Sequence, residues 1–75
     1  MRLRNRVRDR RAELGLTQEQ LAERAEVSVR AVGMIESGAG HAPTGAVMLR
    51  LASALGVPMN ALFWSEDATP AEVAS

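Results

Sequence analysis

The chain has 75 residues, the length of one small domain, so it can bury a modest hydrophobic core. It has no cysteine, which excludes disulfides and thiolate metal sites. It also has no apolar run near the roughly 20 residues of a transmembrane helix, so we expect a cytoplasmic protein without a membrane partner. Nine basic and nine acidic residues give a formal net charge of zero, so a strongly anionic partner is expected only if the charges are segregated along the chain.

Helix start and stop signals divide the sequence into five helical segments. The first is predicted from about Leu3 to Leu14, with apolar residues at helical spacing and Gly15 at its end. Its first half is strongly basic, because Met1 to Arg11 contains six arginines against a single acidic residue. Residues 12–27 hold four glutamates against one arginine, so the charges are indeed segregated. A helix spreads the six arginines around its circumference, so only some of them can share a face.

The next two helices are short, and each has a strong start signal. One is predicted from Gln18 to about Ala25 with Thr17 as its N-cap, and the other from about Val29 to Ser37 with Ser28 as its N-cap. Gly38 stands where a helix-ending glycine adopts a left-handed conformation. A turn of about three residues separates the two helices.

Two further helices follow a loop from Ala39 to Pro43. Thr44 begins a helix that Gly56 ends, and a short last helix is predicted from Met59 to about Trp64. No stretch alternates between apolar and polar residues for long enough to indicate a strand. The predicted fold class is therefore all-α, a compact five-helix bundle.

The domain is predicted to span residues 1–64, followed by a polar, acidic tail over residues 65–75. This tail contains three acidic residues and no basic one. Thr69-Pro70-Ala71-Glu72 has the pattern of a helix start and could begin a sixth helical turn, but only six residues follow the cap. We expect the tail to be flexible.

The second and third helices, joined by a tight turn at Glu26-Val27, have the sequence form of a helix-turn-helix. The residues around them resemble phage-repressor/Cro-type regulators, also called the xenobiotic-response-element type. The resemblance runs from about Asn5 to Trp64 and includes ELGLTQEQLAERAEVS (13–28), V-x-x-I-E-S-G ending at Gly38, Pro43, and LASALGVPMNALF (51–63). It implies a lambda-repressor-like DNA-binding domain, in a regulator that binds double-stranded DNA sequence-specifically.

In such domains the third helix enters the major groove, so residues 29–37 are expected to form the recognition helix. Arg30 is the one outward side chain that can make a bidentate contact with guanine, whereas Val29 and Met34 can contact a thymine methyl group. Gly33 weakens a helix by about 1 kcal/mol relative to alanine, which suggests a close approach of DNA backbone or of a neighbouring helix. The candidate base contacts are Ser28, Val29, Arg30, Gly33 and Met34. So few direct contacts imply modest affinity and reliance on DNA shape.

The resemblance also implies two features that support this helix. Gln18, which opens the second helix, is expected to bond a phosphate and to brace the recognition helix; the backbone N–H groups there also favour an anion. Arg11 and Glu36 are expected to form a partly buried ion pair that ties the first helix to the third. The alternatives are a merely solvated Gln18 and two unconnected surface charges.

Phosphate contacts are expected mainly from the basic first helix. A solvated basic helix without contacts is the alternative for Arg6 and Arg10 taken singly. His41 is the only possible base in the loop after the third helix and is mostly neutral at pH 7, so an uninvolved surface position is the favoured interpretation for it. The candidate phosphate contacts are Arg6, Arg10, Arg11, Gln18, Ser37 and His41.

A single short recognition helix contacts few bases, and this class of regulator normally doubles the contact by two-fold symmetry. We therefore expect a homodimer on a two-fold symmetric operator. Apolar residues beyond the needs of a small core form the candidate dimer interface, namely Val47, Leu49, Met59, Leu62, Phe63 and Trp64. Either Phe63 or Trp64 could instead complete the core of the monomer.

An enzyme is not expected, since the chain has no Cys, Tyr or Lys, a single His, and no phosphate-binding glycine motif. No metal, cofactor or small-molecule ligand is expected either. The alternative function is a protein–protein interaction module on a helix-turn-helix fold, antitoxin-like or an adaptor, with weak or no DNA binding. The net charge of zero and the loop without strong bases favour that alternative, whereas the basic first helix, Gln18 and Arg30 favour DNA binding. The operator sequence, and the choice between repression and activation, do not follow from the sequence.

Overall fold

The computed structural model describes residues 3–38 and 42–66, which form five helices flanked by two short strands. In chain order the elements are β1 (Leu3–Asn5), α1 (Val7–Glu13), α2 (Gln18–Ala25), α3 (Val29–Ser37), α4 (Gly45–Leu55), α5 (Met59–Leu62) and β2 (Phe63–Ser65). None of the helices in these two ranges is long and apolar enough to cross a membrane.

The predicted bounds of α2, α3 and α4 are confirmed, because their caps form as the sequence indicates. Thr17 and Gln20 make a reciprocal capping box, in which each side chain bonds the other residue's backbone N–H. Ser28 caps α3 by accepting the N–H of Ala31, and Thr44 caps α4 in the same way. Glycines in the left-handed conformation end both α3 and α4.

The two ends of the described chain pair with each other, which corrects the all-α prediction. β1 and β2 form an antiparallel two-stranded ribbon, with Leu3 opposite Ser65 and Asn5 opposite Phe63. The first helix therefore begins at Val7 and not at Leu3, and the last ends at Leu62 and not at Trp64. Ser65, which was assigned to the tail, is the last residue of β2.

Local interactions explain both shifted boundaries. The side chain of Asn5 accepts the backbone N–H of Val7 at 3.1 Å, so it occupies one of the donors that a helix leaves free at its start. At the other end, Phe63 is extended and buried, which suits an aromatic residue on a pleated, half-buried surface. A further bond, from the N–H of Arg6 to the carbonyl of Leu62, continues the ribbon up to the helices.

One hydrophobic core lies between the helices and beneath the ribbon. α2 packs against both α3 and α4, and its small side chains Ala22 and Ala25 are buried. The largest fully buried side chains come from five different helices, and they are Leu21, Leu51, Leu55, Leu62, Val7 and Val32. This core holds the back of α3 and leaves its front face at the surface.

Candidate nucleic-acid interface

α3 presents a mixed cationic and apolar face to solvent. Val32 is fully buried and Ile35 is half-buried, whereas Val29 and Met34 keep 42% and 37% of their surface exposed. Arg30 is exposed and makes no hydrogen bond or ion pair with another described residue. Val29, Arg30 and Met34 are thus exposed together on α3, and Arg30 is uncommitted within the described chain.

Gly33 lies on this helix without a steric need for glycine inside the molecule. A Cβ added at this position would have only the Nε2 atom of Gln18 within 4 Å outside its own helix, at an ordinary 3.9 Å. No neighbouring helix backbone approaches it closely, so the expectation that Gly33 allows a close helix contact is wrong. The other expectation, a close approach of DNA to Gly33, stays a prediction.

The side chains of Arg11 in α1, Gln18 in α2 and Glu36 in α3 form a hydrogen-bonded network, here called the α1–α3 clamp. The Nε of Arg11 lies 2.6 Å from Oε2 of Glu36, and its Nη2 donates to Oε1 at 3.1 Å. The Nε2 of Gln18 donates to the same Oε1 at 3.1 Å. The remaining Nη1 of Arg11 donates to the carbonyl of Leu16 at 2.7 Å. Helices α1, α2 and α3 are thereby joined at one carboxylate.

The side chain of Glu36 is only 4% exposed, so its carboxylate is buried in the clamp. Burial opposes the charged form, but the hydrogen bonds from Arg11 and Gln18 outweigh it and hold the pKa of Glu36 below its usual value. The hydrogen bond to Glu36 likewise raises the pKa of Arg11, against the effect of desolvation. Both partners, the guanidinium of Arg11 and the carboxylate of Glu36, are therefore charged at neutral pH.

Gln18 braces α3 and lies at a helix start, where the resemblance also implies a phosphate contact. It is the first residue of α2, where backbone N–H groups are free, and one of its amide hydrogens bonds Glu36. A side-chain amide has two donors, so a second one is left for an anion at the helix start. Bracing the recognition helix and contacting a phosphate are compatible in this geometry.

Two other arginines bond the carboxyl ends of helices, which the sequence analysis did not foresee. The Nε of Arg10 donates to the carbonyl of Leu55, the last residue of α4, at 3.0 Å. Arg50 donates to the carbonyl of Glu26, at the end of α2, at 3.3 Å. Cations are favoured at such ends by the helix dipole and the free carbonyls. Arg10, a candidate phosphate contact, is thus half-buried against α4.

The other candidate phosphate contacts are spread over the surface. Arg6 is exposed, with its guanidinium 5.4 Å from the centre of the Trp64 ring, in a cation–π arrangement. The hydroxyl of Ser37 donates to the carbonyl of Met34 at 3.0 Å. His41 lies outside the described residues, so its position is not part of the geometry.

Asn5 bonds the candidate recognition helix, a contact that the sequence does not indicate. Besides accepting the N–H of Val7, its side chain donates to the carbonyl of Ile35 at 3.1 Å, in the last turn of α3. An asparagine that accepts the N–H two residues on forms an Asx-turn, but this signal was hidden because the first helix was predicted to begin at Leu3.

The candidate dimer residues divide into two groups. Leu49 is 60% exposed and Met59 40% exposed, while Val47 and Trp64 are half-buried. Leu62 and Phe63 are core residues, so their assignment to a dimer surface is wrong. The physical reason is the ribbon, which turns the end of α5 inward over the core.

Two further surface properties bear on ligands. Within residues 3–38 and 42–66, no three His, Asp or Glu side chains are grouped so that they could hold a metal ion. An open groove runs between the carboxyl end of α2 and α4, lined by apolar and charged side chains that include Leu49, Ala54, Arg24 and Arg50.

Comparison with known proteins agrees with this geometry. The family model described as helix-turn-helix matches residues 7–62, which covers all five helices of the structure. The chain is also 32% identical, over 65 residues, to a Bacillus subtilis (strain 168) protein named uncharacterized HTH-type transcriptional regulator YgzD. That alignment covers 87% of this chain and 97% of the relative.

Proposed function

The chain belongs to the helix-turn-helix family of the phage-repressor/Cro type, and from this premise we propose that it is a sequence-specific DNA-binding transcription regulator. The observation that carries the proposal is the outward face of α3. Arg30 stands there without an internal partner among the described residues, between the exposed Val29 and Met34, on a helix held from behind by the α1–α3 clamp.

The base contacts in this proposal come from the first half of α3. Arg30 donates to guanine in the major groove, and the two apolar side chains contact thymine methyl groups. Ser28 is engaged as the N-cap, but a hydroxyl can donate while it accepts, so it can still contact a neighbouring group. Gly33 lets the DNA approach the helix backbone.

The phosphate contacts in the proposal come from α2 and the basic amino-terminal segment. Gln18 and the free N–H groups at the start of α2 form one contact. Arg6 forms another, with its guanidinium ordered by the Trp64 ring. Arg10 contributes mainly through the field of its charge, since its Nε bonds the carbonyl of Leu55, whereas the charge of Arg11 is neutralised by Glu36. Affinity from these contacts falls steeply with salt.

We further propose that the regulator acts as a homodimer on a two-fold symmetric operator. Support comes from the exposed Leu49 and Met59, with the half-buried Val47 and Trp64 as additional apolar candidates. A symmetric interface uses the same patch on both copies, so a few apolar side chains count twice.

The test begins by selecting duplexes from a random pool with the full chain and measuring binding of the selected duplex and a scrambled one over a salt series. Arg30→Ala should weaken the selected duplex about 5- to 150-fold and the scrambled one much less, because a bidentate guanine contact is worth about 1–3 kcal/mol. Arg24→Ala is the matched control, because it removes one exposed arginine of α2 away from α3. If no duplex binds at low salt, the proposal fails.

The competing proposal is a protein–protein interaction module, and the groove beside Leu49 is the observation that favours it. Exposed apolar surface next to charged side chains is typical of partner contacts. Salt discriminates between the two functions, since an interface built on apolar burial weakens little when counterions are added.

A further inference from the structure

Asn5 stands where three parts of the molecule meet. Its backbone lies in β1, directly opposite Phe63 of β2. Its Oδ1 accepts the N–H of Val7, the first residue of α1, and its Nδ2 donates to the carbonyl of Ile35 in α3, both at 3.1 Å. The side chain therefore links the ribbon, α1 and the recognition helix.

The bond from Asn5 to Ile35 goes to a carbonyl in the last turn of α3. The last carbonyls of a helix have no acceptor role within it, and Ile35 is followed by only two residues of α3. The N–H of Gly38 also bonds this carbonyl, at 3.2 Å, as part of the helix end. Asn5 adds the donor that comes from outside α3.

This bond lies one residue away from the α1–α3 clamp. Glu36 is held by Arg11 and Gln18, and Ile35 is held by Asn5, so the last turn of α3 is fixed at two consecutive residues. A helix held at one point can still rotate about it, whereas one held at two points on different atoms cannot do so freely. Productive contacts need a fit of about 0.5 Å and 10–20°.

We propose that Asn5 is a positioning residue that sets the orientation of α3 in the DNA groove, an inference that rests on the proposed DNA binding. Asn5 touches no base in this proposal. It acts through the backbone of Ile35, and Val29 and Arg30 at the other end of α3 follow the orientation of the helix. Because the backbone of Asn5 is paired with Phe63, that orientation also depends on the ribbon.

The test uses Asn5→Ser in the full chain. A serine hydroxyl can still accept the N–H of Val7, two residues on, as in an ST-turn, but it is too short to reach Ile35. Val57→Ala is the control for a general loss of stability, because Val57 is half-buried in the turn after α4, outside α1 and α3. Both variants are first compared by chemical denaturation, so that binding is judged at known stability.

The first readout needs no DNA. In Asn5→Ser, amide hydrogen exchange measured by NMR should become about tenfold faster in the last turn of α3 relative to α2. The variant lacks the bond to Ile35, so this turn opens more easily. Val57→Ala should leave this ratio unchanged. An unchanged ratio in Asn5→Ser overturns the proposal.

The second readout is the ratio of affinities for the selected and the scrambled duplex. Asn5→Ser should lower this ratio about tenfold, while the affinity for the scrambled duplex and its salt dependence stay as in the wild type, since phosphate contacts carry no sequence information. An equal ratio in Asn5→Ser and the wild type overturns the proposal. If the wild type binds no duplex, the proposed function is overturned instead. That outcome is distinguishable, because it is measured on the wild type alone.

Discussion

Glu26 occupies an unusual conformation for its residue type. Its φ is 59°, and no other described non-glycine residue has a positive φ. The turn between α2 and α3 requires this conformation, because the N–H of Val27 bonds back to the carbonyl of Ala22 at 3.0 Å to close the helix end. A side chain with a Cβ is strained there, whereas glycine is not.

Replacing Glu26 by glycine should therefore stabilise the fold. The left-handed conformation costs a residue with a Cβ about 1–2 kcal/mol, and glycine's larger chain entropy offsets part of the gain, which leaves about 0.5–1 kcal/mol. The bond from Arg50 survives, because it goes to the backbone carbonyl of residue 26. Urea denaturation of the two chains measures the difference, with Gly38→Ala as a control expected to shift the midpoint the other way. A destabilised Glu26→Gly would contradict the assignment of strain.

Gly33→Ala should also raise stability, by about 1 kcal/mol, since alanine favours a helix interior and its methyl group would meet only Gln18. If the glycine exists for the approach of DNA, the same variant should bind the selected duplex more weakly. Gly45→Ala, where the structure leaves open space, should stabilise less and leave binding unaltered. Equal affinity of Gly33→Ala and the wild type would show that this glycine has no role in binding.

Among elements, the clamp shows how far a buried ion pair can be inferred. The resemblance named Arg11 and Glu36, and the structure places them 2.6 Å apart with Gln18 on the same carboxylate. The additional bonds of Arg11 to Leu16 and of Asn5 to Ile35 go to backbone carbonyls. Every residue has such a carbonyl, so the sequence alone does not mark which one a side chain will find.

Stability should depend on pH through Glu36. Its pKa is depressed in the folded state, so its contribution is present above the unfolded pKa of about 4.3 and is lost as the pH falls through the folded value. At pH 7 the wild type should exceed Glu36→Gln in unfolding free energy by about 1–3 kcal/mol, since the glutamine leaves Arg11 without its charge partner. Below about pH 4.3 the difference should shrink.

Glu13→Gln serves as the comparison for this pH series. Glu13 also faces an arginine, Arg10, but at 3.8 Å and with 65% of its side chain exposed, so solvent screens the pair. Its effect should stay below about 0.5 kcal/mol. A Glu36→Gln variant whose unfolding free energy parallels that of the wild type from pH 7 to pH 3 would show that the charge of Glu36 adds nothing to stability.

The ribbon marks the limit of sequence-based prediction at this scale. Alternation identifies a strand over about four to eight residues, and each strand here has three. Leu3 and Val7 also have helical spacing, which favoured a longer first helix. The caps at Thr17, Ser28 and Thr44, in contrast, are local signals, and they gave the bounds of the three central helices.

Over the whole molecule, the arginines differ in whether their side chains bond backbone carbonyls. Arg10, Arg11 and Arg50 bond carbonyls at or near helix ends. Arg30 has no such bond to any residue that the structure describes, and Arg6 faces an aromatic ring. Fewer cations are therefore free for DNA than the composition indicates, which supports a modest, salt-sensitive affinity.

The proposed dimer can be tested at Leu49. Leu49→Asp should keep the fold, because that side chain is 60% exposed, but it should shift sedimentation toward the monomer by placing a charge in the apolar patch. Leu14→Asp, with 40% exposure at the end of α1, is the matched control and should leave the assembly unchanged. A wild type that sediments as a monomer at micromolar concentration, even with the selected duplex, would disprove the dimer.

The ribbon has a consequence for the order of events during synthesis. Leu3 and Ser65 are partners although about sixty residues of chain separate them. A ribosome delivers the amino-terminal residues first, so β1 must wait until the segment after α5 has left the exit tunnel. Asn5 gains its backbone partner Phe63 only at that point, although the partners of its side chain, Val7 and Ile35, emerge earlier. The helices can thus form early, whereas the strand pairing that holds Asn5 beside α1 and α3 waits for residues 63–65.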